Sequence, residues 1–252
     1  MNSPPSTNKV PLVLLAGWGV NSQVWRPLVP VLSDTFELHL LDLPGFGHEH
    51  DYRGSYSLSA IVNRVLEAAP QSAIWAGWSL GATIAMQAAI LHPERFLGLQ
   101  IVSGTPRFMA APDWRWGMHV EPLNQLMDSF QQNYETGLKK FLLLQTHQRP
   151  LVREQLSSIL SLPCPSGSTL QRSLRLLIET DLRTTVHGIQ VPTKILAGAN
   201  DRVVSAPASQ WLAAQIVAAN GCSLTDGGHL CFLESPAKLV KDLQCLAGVI
   251  VE

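Results

Sequence analysis

The feature that most constrains this chain is an apolar run at 73–76 that breaks into Gly77-Trp78-Ser79-Leu80-Gly81 and continues as a small-residue-rich helical segment, with Ala82, Ala85, Ala88 and Ala89. A G-x-S-x-G by itself recurs by chance. A strand before it and a helix after it make it specific, because the chain must then reverse within a few residues. Such a turn crowds chain segments together, so glycine is needed on both sides of the serine. The turn also holds the hydroxyl clear of the sheet with the helix N-terminus pointing at it, which favours developing negative charge. These five residues predict a nucleophilic serine, Ser79, at the end of a buried strand.

The rest of the chain supplies the sheet. Residues 12–15 are a continuous apolar run ending near Gly17, the pattern of a strand buried on both faces. Val24, Trp25, Leu28, Val31 and Leu32 recur at helical spacing, and 36–41 reads as the next strand, closed by the turn signal Asp42-Leu43-Pro44-Gly45. Leu58, Ile61, Val62, Val65 and Leu66 line one face of a helix that Ser57 caps. Strands at 73–76 and 96–102 bracket the helix at 80–91. After Pro106 the alternation stops. From there to about His187, helical periodicities at 123–130, 138–144, 152–160 and 170–178 follow one another with no strand between them. A strand at 194–197, a helix at 207–218, a short strand at 222–224 and a helix opening at Ser235-Pro236 then resume the pattern. The expectation is an α/β fold, a mostly parallel sheet with helices on both faces. Residues 1–107 and 188–252 would form its core, and 108–187 a helical lid inserted between the two halves.

Composition excludes several other classes. The 252 residues are 46% hydrophobic and 15% charged, which suits one large packed domain with an insertion. A formal net charge of −1 supplies no global field for nucleic acid or a membrane surface. The polar first ten residues lack the charged start and apolar core of a signal peptide. No apolar stretch approaches the roughly 20 residues that span a bilayer, so a cytoplasmic monomer is expected. Cys164, Cys222, Cys231 and Cys245 have no metal-ligand spacing and predict no disulfide framework. No metal or cofactor is expected.

A hydroxyl becomes a good nucleophile only when a base takes its proton. Of eight histidines, His229 lies in Asp226-Gly227-Gly228-His229, in the loop between the last strand and the last helix, where a base at the top of the sheet should arrive. His48 and His50 precede the serine, and His92, before Pro93, ends a helix. The orienting acid should fall between serine and histidine. Asp201, in Gly198-Ala199-Asn200-Asp201, follows the strand at 194–197; Asp181 is its rival, at the end of the helical block, and Asp226 is too close to His229. Cys231, two residues after His229, reads as a small hydrophobe rather than a nucleophile. Acyl transfer further needs oxyanion donors. The backbone N–H of Leu80 is one, and the N–H of Trp18, between Gly17 and Gly19, is the other.

Gly17-Trp18-Gly19, Asp42-Leu43-Pro44-Gly45-Phe46-Gly47, Gly77-Trp78-Ser79-Leu80-Gly81, His92-Pro93-Glu94-Arg95 and Gly228-His229 occur in the order typical of α/β-hydrolases. The chain most closely resembles the pimeloyl-[acyl-carrier protein] methyl ester esterases of biotin synthesis, along nearly its whole length after Val10. The likeness includes the stretch from Gln71 to Trp75, Trp78 before the serine, Phe141-Leu142-Leu143-Leu144-Gln145-Thr146 in the insertion, and Asp181-Leu182-Arg183 at its end. The resemblance implies a serine carboxylesterase that frees the ω-carboxylate of a carrier-bound pimeloyl chain, with Phe141 through Gln145 lining the acyl channel. Substrate contacts would thus include Trp18, Leu80, Phe141 and Gln145, and acyl carrier protein would be the partner. Two departures stand out. Ala16 occupies the place of the family's usual histidine, which predicts a less well braced oxyanion loop. Too few residues precede Leu12 for the family's N-terminal antiparallel strands, which predicts a smaller sheet at that edge.

Charge points to the same partner independently. Between Lys139 and Arg175 stand six cations against one acid, Glu154. Such a basic surface suits an acidic carrier, with Lys139, Lys140, Arg149 and Arg153 as the expected contacts. Dehalogenases and most epoxide hydrolases use an aspartate nucleophile, so Ser79 excludes them. A small-molecule esterase with the same triad, or a ligand-binding receptor on the same fold, are the other readings.

Overall fold

Six strands pair side by side into one sheet in the order β2-β1-β3-β4-β5-β6, and every pairing in it is parallel. The strands are β1 Val10–Leu15, β2 Phe36–Leu41, β3 Ala73–Trp78, β4 Phe96–Val102, β5 Thr193–Gly198 and β6 Ala219–Thr225. This computed structural model describes residues 9–248. Parallel strands require crossovers, and helices supply them on both faces. These are α1 Val29–Leu32 after a 3-10 turn at Ser22–Leu28, α2 Leu58–Ala68, α3 Leu80–Leu91, α8 Ala206–Gln215 and α10 Pro236–Leu246. Among the described residues no antiparallel strand flanks β2. The first eight residues, read above as lacking a signal peptide, lie outside the described residues. No described helix is long and apolar enough to cross a membrane.

Between β4 and β5 the chain forms α4 Val120–Gln132, α5 Tyr134–Gln145, α6 Arg149–Ile159 and α7 Gly167–Glu179. Side-chain caps fix where two of them start: Asn133 accepts from Thr136 N–H and Ser166 from Thr169 N–H. The block leaves and rejoins the core at one neck. There Leu182 N–H donates to the Pro106 carbonyl at 2.7 Å, and Arg107 and Arg183 both bind the Asp181 carboxylate. Asp181, the rival acid, is thus committed to a structural ion cluster. Its two guanidinium partners, Arg183 first, hold its carboxyl well below the usual range. A short helix, α9 Cys231–Glu234, follows His229 and has too few residues to register as a period.

The order β2-β1-β3 fixes where a site can form. The chain winds one way from β1 to β2, then crosses to the other side of β1 for β3, and loops at the carboxyl ends of β1 and β3 part at this switch point. Helix α3 starts there, packed so closely that a Cβ on Gly81 would lie 2.5 Å from the Leu15 carbonyl oxygen and 2.6 Å from that of Ala16. At an open helical site, alanine in place of glycine stabilises by about 1 kcal/mol. Here overpacking reverses the sign: Gly81→Ala should lower unfolding free energy by about 1–3 kcal/mol, read as a lower urea midpoint. A higher midpoint would mean that α3 does not sit this close to β1.

Candidate active site

Strand registry brings four loops to one edge. Leu15 pairs with Gly77, so the turn after β1 faces the turn after β3; Gly198 pairs with Thr225, which does the same for the loops after β5 and β6. At the end of β3, Ser79 adopts φ 56° and ψ −116°, a left-handed conformation that costs a non-glycine residue about 1–3 kcal/mol. Its surroundings hold it there. Ser79 N–H donates to the Val102 carbonyl at 3.0 Å, and a Cβ on Gly77 would lie 2.5 Å from the Gly81 carbonyl oxygen. Gly17 comes so near that its own Cβ would lie 3.1 Å from that of Ser79. The strain presents the hydroxyl at the mouth of α3.

The His229 and Asp201 side chains are fully buried, with Nδ1 2.7 Å from Oδ2. The other Asp201 oxygen accepts from Val203 N–H and Val204 N–H at 2.8 and 2.9 Å, so the carboxylate has one free direction and His229 fills it. Because a carboxylate accepts only, Nδ1 carries the proton and the Nε2 lone pair is left for chemistry. Nε2 has no hydrogen-bond partner among the described residues. Trp78, next to the serine, fixes the histidine from below: its Nε1 donates to the His229 carbonyl at 2.9 Å, and the two rings lie 5.2 Å apart. The acid and base loops are also stitched together, with Asn200 N–H donating to the Gly227 carbonyl and its Nδ2 to that of Asp226. Cys231 is fully buried, and burial pushes its thiol up to about 12, so it is neither accessible nor a thiolate at neutral pH.

The backbone N–H groups of Trp18 and Leu80 have no acceptor among the described residues, and both flank Ser79. Trp18 is placed from its side chain, whose Nε1 donates to the Leu170 carbonyl at 3.1 Å. Its ring meets those of Phe130 and Phe141 edge-on at 5.2 and 5.4 Å. Beyond them a narrow cavity of about 30 Å³ reaches Ser79, walled by Phe108, Leu123, Leu126, Phe141, Leu174 and Leu177, with no charged residue in its lining. Such a pocket favours a neutral aliphatic chain.

Phe141 lines this cavity as expected, and Leu144 joins it, but Gln145 does not. The backbone of Gln145 meets the base loop instead. Its carbonyl accepts from His229 N–H at 2.8 Å and from Leu230 N–H at 3.4 Å. Next to it, Thr146 Oγ1 donates to the Glu234 carboxylate, whose other oxygen accepts from Gly228 N–H at 2.6 Å. The end of α5 therefore clamps the histidine loop. Sequence gave no signal for this, because the pairing joins backbone groups far apart in the chain. Lys139, Lys140, Arg149 and Arg153 are all exposed and away from the cavity. His48 and His50 are not among its lining residues, and His92 caps α3 through its backbone N–H.

The profile of a family described as having the alpha/beta hydrolase fold matches residues 10–236. A pimeloyl-[acyl-carrier protein] methyl ester esterase from Klebsiella pneumoniae is 41% identical over 77% of this chain and 76% of its own. One of the same name from Photobacterium profundum is 34% identical over 92% of each chain. The chain belongs to the α/β-hydrolases, in the pimeloyl-[acyl-carrier protein] methyl ester esterase family. Among solved structures, an esterase from Exiguobacterium antarcticum superposes with a TM-score of 0.82 over 94% of this chain and 91% of its own, at 22% identity, which speaks for the fold alone.

This α/β-hydrolase is a carboxylic ester hydrolase, and its two candidate acids can be told apart. Asp201→Asn should lower kcat on a short ester by about 10⁴-fold, because an amide no longer holds the histidine in the reactive tautomer. Asp181→Asn should loosen the neck of the helical block and lower thermal stability, with kcat within about threefold of wild type. A larger loss of kcat from the Asp181 change would assign the acid wrongly.

Proposed function

We propose that this hydrolase cleaves the methyl ester at the far end of a pimeloyl chain carried on acyl carrier protein, releasing methanol and the free ω-carboxylate for biotin synthesis. Ser79 Oγ attacks the ester carbon while His229 Nε2 takes its proton, with Asp201 stabilising the imidazolium that forms. The negative charge that develops on the carbonyl oxygen is stabilised by hydrogen bonds donated by the N–H groups of Trp18 and Leu80. Collapse breaks the bond to the methoxy oxygen, which leaves with the histidine's proton as methanol. Water, deprotonated by the same histidine, then attacks the acyl-serine and frees the acid.

The observation that carries the substrate is the identity of 41% and 34% with esterases of that name, extending over the helical block as well as the core. The cavity agrees with it: an apolar wall accepts the neutral ester chain and offers the carboxylate product no cation to retain it. In this reading α4 to α7 form a lid over the site, as expected for 108–187.

The carrier is proposed to dock on α5 and α6. The lid as a whole, 108–187, holds eight cations and seven acids, so its basic character is local rather than general. Arg172 is engaged with the Gly54 carbonyl and stacked over Tyr56, and Arg175 pairs with Glu179. Exposed Lys139, Lys140, Arg149 and Arg153 remain to meet an acidic partner. Lys140 also donates to Ser129 Oγ at 3.0 Å, so Lys139 and Arg153 make the cleaner pair to change.

Charges at the rim of an interface chiefly govern encounter and partner choice, and added salt screens them beyond about 8 Å. Lys139→Glu combined with Arg153→Glu should lower kcat/KM on the carrier-bound methyl ester by about 10-fold or more, leaving a p-nitrophenyl ester within about twofold. Raising salt should produce the same split in the wild type. Unchanged kcat/KM on the carrier-bound ester would reject the docking surface. Failure of the wild type to prefer that ester would favour a small-molecule esterase.

A further inference from the structure

The oxyanion turn has little of its own to hold it. Gly17 and Gly19 flank Trp18, Gly19 sits at φ +77°, and Ala16 brings no polar side chain to the turn. Yet the N–H of Trp18 must point at a position fixed to within a fraction of an ångström if it is to stabilise charge. The less well braced loop expected from Ala16 is not what the structure contains. The brace comes from the lid. Tyr134 Oη donates to the Gly19 carbonyl at 2.9 Å, Trp18 Nε1 donates to the Leu170 carbonyl, and Asn21 Nδ2 donates to that of Ile159 at 2.9 Å. The acceptor or donor on the lid side lies on α5, α7 and α6 in turn.

Of these three, the tyrosine bond is the one that acts on the peptide backbone of the turn itself. We propose that Tyr134 is a positioning residue for the oxyanion hole: its hydroxyl holds the Gly19 carbonyl and thereby keeps the Trp18 N–H aimed at the developing oxyanion. This rests on the serine-hydrolase reading given above. Tyr134 is the first residue of α5, whose start is fixed by the Asn133 cap, and its ring packs on Phe130 at 5.7 Å. Phe130 in turn packs on Trp18, so ring and hydroxyl grip the same turn from one side. Burial raises the phenol's pKa far above neutrality, which keeps it a donor at every working pH. The same helix reaches the acyl cavity through Phe141 and the base loop through the Gln145 carbonyl. Seating α5 therefore sets the oxyanion donor, the chain-binding wall and the histidine together.

Tyr134→Phe removes the hydroxyl and keeps the ring. On a short p-nitrophenyl ester, kcat should fall about 10-fold while KM stays within about twofold, because the lost interaction serves the transition state. Binding of an alkyl boronic acid, which adds to the serine and places an oxygen in the hole, should weaken by about the same factor. Binding of the matching alcohol, which forms no adduct, should not change. Arg183→Gln supplies the structural control: it breaks the ion cluster at the neck and lowers the melting temperature without touching the turn, and it should leave kcat and boronate affinity unaltered. Tyr134→Phe with wild-type kcat and boronate affinity would overturn the proposal. So would equal losses of both in Arg183→Gln, which would assign them to general loosening of the helical block. A wild type that turns over no ester and binds no boronate would remove the serine-hydrolase reading, and the proposal with it.

Discussion

The close approach of α3 to the ends of β1 and β3 is the constraint on which the rest of this structure depends. Gly77 and Gly81 let the chain reverse between strand and helix with no side chain in the way, and Gly17 lets the neighbouring turn lie against the serine. Ser79 is left in a backbone conformation that its residue type disfavours, with its N–H tied to the Val102 carbonyl. That strain is borne by the packing of the central strands, Leu12, Leu14, Ile74, Ala76 and Ile101 among them, all fully buried. Stability of the sheet and exposure of the nucleophile are one arrangement seen from two sides.

The second organising element is α5. One helix of the inserted block touches each part of the candidate site. Its first residue holds the oxyanion turn, Phe141 walls the acyl cavity, and the Gln145 carbonyl takes the His229 N–H. Glu234 and Thr146 complete the clamp on the histidine loop. With its outer face carrying Lys139 and Lys140, the helix links the surface proposed to meet the carrier with the groups proposed to perform the hydrolysis.

What the sequence disclosed follows from the range of each interaction. Ser79 was legible because strand, elbow and helix are contiguous, and the strands because each contains a short apolar stretch between turn signals or helical periods. Asp201 and His229 followed from their place after β5 and β6, and they meet at 2.7 Å. The four helices between β4 and β5 were visible as periods, but a period tells which residues share a face without telling what that face meets. Gln145, one residue past Leu144, was thus read as a channel residue, although it is absent from the cavity lining and its backbone carbonyl binds the base loop. The bracing of Trp18 by Tyr134 was not legible at all, since it joins residues 115 positions apart through a bond whose acceptor is backbone. The basic stretch was legible as a count, but only the structure separates Arg172 and Arg175, held by Gly54 and Glu179, from the exposed Lys139, Lys140, Arg149 and Arg153.

The central claim is that the strained elbow makes Ser79 the nucleophile of the hydrolase. A fluorophosphonate probe reacts with a serine only where a base has activated it, so proteolysis and peptide mass mapping of the treated protein test that claim directly. One adduct on Ser79 in the wild type, and none in Ser79→Ala, is the predicted result. An adduct on any other residue, or undiminished labelling of Ser79→Ala, would contradict it.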